Sequence, residues 1–134
     1  MNLKLFLNKK IPTIVGLDHI SYRINPIDRW FNFYFEAKER GLDPLWTINH
    51  GWISGIYYKD PDGNLVEIFF EHFSSAEEFK SNISPDFEDE PIGTNMDVEV
   101  LYEMYKAGND FSELITKGNT VPEGKKPVSG FDAV

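Results

Sequence analysis

Ile53-Ser54-Gly55-Ile56-Tyr57-Tyr58-Lys59-Asp60-Pro61-Asp62-Gly63-Asn64-Leu65-Val66-Glu67-Ile68-Phe69-Phe70-Glu71 is the stretch from which the fold can be read. Its centre, Asp60 to Asn64, is a strong turn, because Pro61 fixes its own φ and Gly63 accepts a positive one. The arms on either side alternate with the period of two that divides a strand into two faces. In the first arm Ile56 and Tyr58 share one face, and Ile53, Gly55 and Tyr57 the other. In the second, Val66, Ile68 and Phe70 lie opposite Leu65, Glu67 and Phe69. A carboxylate between Leu65 and Phe69 is expected to be partly buried, and an isolated buried carboxylate is costly. Glu67 therefore calls for a metal, another cation or a hydrogen-bond partner.

Upstream, Leu17 to Ile24 reads as a further strand, with Ile20, Tyr22 and Ile24 filling one face and Leu17, His19 and Ser21 on the other. His19 and Glu67 thus stand alone on otherwise apolar strands, and an imidazole and a carboxylate on neighbouring strands are the start of a divalent-metal site. Asn25-Pro26 ends that strand as an N-cap residue followed by a proline at the first helical position. Ile27, Trp30, Phe31, Tyr34 and Ala37 follow at helical spacing, which predicts an amphipathic helix over 26–40 closed by Gly41. Its aromatic stripe is expected in the core or at an interface. Leu45 to Ile48 is a short strand and Asn49-His50-Gly51 a turn. The order β-α-β-β-β over 16–71 predicts an α+β module, with one helix on a small mixed sheet.

Beyond residue 72 the character changes. His72, between Glu71 and Phe73 at a strand end, is expected to face solvent. Ser75-Ala76-Glu77-Glu78 is a capping box opening a helix over 75–82. The stretch 84–97, with Pro85 and Pro91, reads as an acidic surface loop. Asp86, Glu88, Asp89 and Glu90 lack the glycine-punctuated spacing of a calcium loop. Val98 to Ala107 reads as a helix ending at Gly108, and Phe111 to Thr116 as a last turn. The implied organisation is an N-terminal strand or arm over 1–15, the module over 16–73, a helical extension over 74–117 and a mobile tail over 118–134.

The chain has 134 residues, enough for one domain with a real core, to which 11 Phe, 6 Tyr and 3 Trp contribute bulk. The absence of cysteine excludes disulfides and thiolate ligands. It is compatible with a cytoplasmic location. In Met1 to Lys10 the charges follow a short apolar stretch, which is not the order of a secretory signal. No run of about 20 apolar residues is present, so no membrane span is expected. A net charge of −9 argues against phosphate or nucleic-acid partners.

Gly16-Leu17-Asp18-His19-Ile20-Ser21-Tyr22-Arg23-Ile24, Asn49-His50-Gly51, Ile56-Tyr57-Tyr58-Lys59-Asp60-Pro61-Asp62-Gly63-Asn64 and Val66-Glu67-Ile68, in this β-α-β-β-β order, resemble the vicinal oxygen chelate superfamily. That superfamily includes glyoxalase I, bleomycin-resistance proteins and extradiol ring-cleaving dioxygenases. The strings are most similar to the metal-binding second module of an extradiol-type domain. Pro91-Ile92-Gly93 and the helix after it resemble the C-terminal extension of a biphenyl-diol dioxygenase-like subgroup. The likeness covers most of 14–116.

The resemblance implies that His19 and Glu67 are metal ligands. It implies that His50 is a catalytic residue beside substrate and O₂, and that Tyr57 hydrogen-bonds a substrate oxygen. It also implies Fe(II), less often Mn(II), and a catechol-like small molecule as substrate. On their residues alone, His50 also reads as a polar turn residue and Tyr57 as a rim aromatic. The superfamily pairs two modules, the first supplying a second histidine of a two-His, one-carboxylate triad. One module is present here, and no histidine precedes His19. Either a second copy completes the site in a homodimer, or the chain is an incomplete member. A two-fold pairing of His19 and Glu67 from each copy would resemble a glyoxalase-like isomerase or lyase, suited to Ni(II), Co(II) or Zn(II). A non-catalytic small-molecule-binding relict is the remaining reading.

Overall fold

The computed structural model describes residues 16–128. The expected arm over 1–15 and the last residues of the expected tail lie outside them. The described chain is α+β. Strands β1 (His19–Arg23), β2 (Trp46–Asn49), β3 (Ile53–Lys59), β4 (Leu65–Glu71) and β5 (Thr94–Asn95) form one mixed sheet in the order β1-β4-β3-β2-β5. Helix α1 (Ile27–Glu39) follows β1; α2 (Ala76–Asn82), α3 (Val98–Lys106) and α4 (Phe111–Leu114) belong to the extension. β1 runs parallel to β4 and the other pairs are antiparallel. This contains the β-α-β-β-β order and adds a strand to it.

The hairpin forms as its sequence dictates. Asp60 Oδ1 accepts the backbone N–H groups of Asp62 and Asn64 at 3.0 and 2.8 Å, and Gly63 takes φ +86°. The resulting register sets Tyr57 opposite Glu67 and Ile56 opposite Ile68. Ile56, Tyr58, Ile68 and Phe70 then share the face covered by α1, whose Trp30, Phe31, Tyr34 and Ala37 are buried against them. Burying such side chains contributes about 1.5–3 kcal/mol each. Trp30 also donates its indole N–H to Ile68 O at 3.0 Å, so the ring meets the core without an unpaired donor. α1 ends where Gly41 turns the chain at φ +81°.

Several expectations are corrected. Among the described residues β1 is a terminal strand of the sheet, and α1 does not roof it: Ile20 and Tyr22 are 39% and 56% exposed. Of the apolar face read from sequence, Ile24 packs against the core. Asn25 does not cap α1, because Pro26 holds that position. Its side chain instead ties β1 to the end of β4, accepting Glu71 N–H at 3.0 Å. The acidic loop contains β5, which pairs with β2, and a 3₁₀ turn over Pro85–Phe87. Ser75 caps α2 by accepting Glu78 N–H at 3.1 Å, whereas the Glu78 carboxylate reaches Ser74 rather than completing the box. Residues 118–128, read as part of a tail, contact the sheet edge: Thr120 Oγ1 accepts Asp97 N–H and Val128 O accepts Asn95 N–H, both at 2.9 Å.

His72 is the largest reversal. It is 2% exposed, because the alternation of β4 continues past Phe70 and turns it to the helix side. There its Nε2 lies 2.8 Å from Ser54 Oγ. Burial pushes its pKa down to about 4, partly opposed by the Gly51 backbone and reinforced by the His50 charge. The unfolded chain, with a histidine near 6.5, binds the extra proton first as pH falls. Stability is therefore full above about pH 6.5 and is lost on acidification towards about pH 4, by roughly 2–3 kcal/mol. Urea titrations at about pH 7 and about pH 4.5 should show this loss, and His72→Gln should flatten it. An equal loss in the variant would move the effect to other groups.

Candidate metal centre

The face of the sheet away from α1 carries the polar residues singled out in the sequence. β1 and β4 in parallel register put Ser21 beside Glu67 and bring His19 to the same face. Tyr57 reaches it from β3, opposite Glu67. His50 arrives from the turn after β2. The structure therefore brings His19, His50, Tyr57 and Glu67 together. Tyr58, of the other parity, belongs to the core under α1.

Glu67 is 3% exposed and stands at the centre. Its Oε2 accepts the Ser21 hydroxyl at 2.6 Å and lies 3.4 Å from His19 Nε2. Its Oε1 lies 3.4 Å from His50 Nε2, beyond a full hydrogen bond, and has no hydrogen-bond partner among the described residues. Burial alone would raise its pKa. The interactions with His50 and Ser21, the His50 charge and the Tyr57 hydroxyl outweigh it and hold the carboxyl below its usual range.

Each histidine has its Nδ1 engaged elsewhere. His19 Nδ1 is bound to the Asp18 carboxylate, which orients the ring with Nε2 towards Glu67. His50 Nδ1 donates to Ile92 O at 2.6 Å, and its Nε2 lies 3.2 Å from Tyr57 Oη. A proton gained at His50 Nε2 would face Glu67 Oε1. Burial, and then the Glu67 charge, push the Tyr57 phenol well above the ordinary tyrosine range, so it stays a donor. Its ring packs between His19 (centroids 5.5 Å) and Trp46 (5.1 Å).

The extension fixes the His50 turn. Asn49 donates to Ile115 O at 2.9 Å and accepts Gly51 N–H at 2.8 Å. Gly93, at φ +100°, passes so close that a Cβ there would lie 2.0 Å from Asn49 O. That approach is what brings Ile92 O to His50.

Ser21, Asp18 and Trp46 were not singled out in the sequence. Ser21 was legible by its parity with His19, whereas Asp18 and Trp46 carried no such signal. Leu17, read on the same strand face as His19, is 68% exposed. A cavity of about 400 Å³ lined by Gly51, His72, Phe111 and Lys117, among others, draws on the helix-side His72 rather than on Glu67.

An imidazole nitrogen and a buried carboxylate suit a first-row divalent ion. These residues fit such an ion as two ligands. Among the described residues no group of three His, Cys, Asp or Glu side chains is arranged to hold one. No helix among them is long and apolar enough to cross a membrane.

The chain is 31% identical over 112 residues to biphenyl-2,3-diol 1,2-dioxygenase 3 of Rhodococcus globerulus, covering 83% of this chain and 59% of that protein. It is 27% identical over 126 residues to biphenyl-2,3-diol 1,2-dioxygenase 2 of the same organism, covering 91% of this chain and 66% of that protein. The chain thus spans 59–66% of the length of these curated relatives. No protein-family model and no solved structure matches it.

Proposed function

We propose that the chain is the metal-site part of an extradiol-type ring-cleaving dioxygenase of the vicinal oxygen chelate superfamily, acting on a catechol-like molecule. His19 and Glu67 are two ligands of a non-haem Fe(II), with Mn(II) the nearest substitute. One observation carries this reading. His19 Nε2 and the buried Glu67 Oε2 face each other at 3.4 Å, while His19 Nδ1 is bound to Asp18. An imidazole nitrogen and a carboxylate oxygen so disposed suit a divalent cation between them. The names of the two relatives supply the substrate class, a vicinal diol on an aromatic ring.

Bound Fe(II) supplies a Lewis-acidic, redox-active centre that gathers both substrate oxygens and O₂. The chain's own residues do the rest. His50 accepts and returns a proton at Nε2, its other nitrogen being fixed on Ile92 O. Tyr57, held protonated, donates to a substrate oxygen. Ile53, Leu65 and Phe69 keep water from the carboxylate. Asp18 orients His19 as outer-shell carboxylates orient metal-binding histidines.

The lack of a third ligand among the described residues favours a second reading, in which a two-fold related copy contributes to the site. β1 ends the sheet among the described residues and exposes Ile20 and Tyr22, which leaves an edge for another chain. Such a shared site suits a glyoxalase-like isomerase or lyase with Ni(II), Co(II) or Zn(II). An anaerobic Fe(II) titration of metal-free protein separates the readings. About one tight iron per chain is expected of the dioxygenase, and about half an iron of a site shared across a dimer. No binding would make the chain a non-catalytic binding module.

A further inference from the structure

Gly55 occupies the middle of β3, opposite Phe69 and two residues from Tyr57, the partner of Glu67. A methyl group on Gly55 would lie 2.4 Å from Glu67 Oε1 and 3.2 Å from both its Cδ and Cγ. The Glu67 side chain thus lies along the sheet over the bare Cα of Gly55, in the volume any other residue would fill. The strand itself does not call for glycine, since Gly55 is not among the glycines with positive φ. A glycine inside a strand is also a loss, because it orders a flexible backbone and packs no side chain. Its compensation is the carboxylate above it.

We propose that Gly55 is a positioning residue for the metal centre, its absent side chain forming the cradle that lays Glu67 flat across the sheet. The inference rests on reading Glu67 as the site carboxylate. Ser21 completes the cradle from the other side, through its 2.6 Å bond to Oε2. Between them the two residues fix which oxygen goes where. Oε2 is directed to His19 and is the oxygen offered to a cation, while Oε1 is kept for His50. The atom nearest an added methyl is the tip of a flexible side chain rather than backbone. Gly55→Ala therefore displaces the carboxylate and leaves the strand in place.

Two measurements test this. Mn(II) affinity, read by the electron paramagnetic resonance signal of free Mn(II), should fall by about 10- to 100-fold in Gly55→Ala while cooperative unfolding is kept. Unfolding midpoints of metal-free protein should then be compared for Gly55→Ala in the unaltered chain and in a Glu67→Ala background. With the carboxylate gone the substitution should leave the midpoint unchanged or raise it, even where it lowers the midpoint of the parent chain. An equal lowering in both backgrounds would assign Gly55 to the strand backbone and overturn the proposal. Unchanged Mn(II) affinity in Gly55→Ala would also overturn it. Failure of the unaltered chain to bind Mn(II) would count against the metal reading, and the metal-free comparison would still decide the role of Gly55.

Discussion

Glu67→Gln should abolish metal retention, weakening Fe(II) binding by more than about 100-fold, and should leave the fold nearly intact. The amide keeps the size of the side chain and retains an oxygen to accept the Ser21 hydroxyl now bonded at 2.6 Å. What disappears is the charge, and with it the attraction for a divalent ion. Removing a charge from a position 3% exposed also relieves desolvation, which offsets part of the lost interaction with His50. The change in stability should therefore stay within about 1 kcal/mol. Competition titration against a chelator and a urea melt read the two quantities separately. Tight metal binding by the variant would remove Glu67 from the ligand set.

His50→Ala should show the opposite pattern, with metal retained and turnover lost. His50 meets Glu67 Oε1 rather than the Oε2 that faces His19, so the ligand pair survives its removal. The lost function is the proton acceptor at Nε2, and a positioned acid–base group is worth about 10²- to 10⁴-fold. Ring cleavage of biphenyl-2,3-diol, the compound in the relatives' names, is the assay to follow. The loss of the bond from His50 Nδ1 to Ile92 O, 2.6 Å long, adds a stability cost of about 1 kcal/mol. Turnover equal to that of the unaltered chain would take His50 out of the mechanism. A loss of metal would instead make it a ligand.

The two variants probe features of different legibility. Glu67 announced itself, because a carboxylate between Leu65 and Phe69 breaks an apolar strand face. The parity that sets Tyr57 with Glu67, and Tyr58 under α1, was equally open to reading. His50 was not. Its turn is placed by Asn49 on Ile115 and by Ile92 on His50, from segments 66 and 42 residues away in sequence. His72 shows a different failure. The β4 alternation that places Phe70 in the core also buries His72, but its place at the strand end, between Glu71 and Phe73, suggested solvent. β5 has two residues, too few for any period to appear.

By itself the sequence determined the α+β class, the hairpin at Asp60 to Asn64, the apolar stripe of α1 and the face on which His19, Tyr57 and Glu67 lie. These follow from strand and helix periodicity, which is a local property of the backbone. The tertiary structure alone decided that α1 leaves Ile20 and Tyr22 of β1 exposed, that β5 extends the sheet, and that the extension carries Ile92 O to His50. It also decided that Glu67 lies over Gly55. Each of these depends on strand register or on the docking of segments distant in the chain. A local pattern states which way a side chain turns, whereas its neighbours are set by the register and packing of other strands and helices.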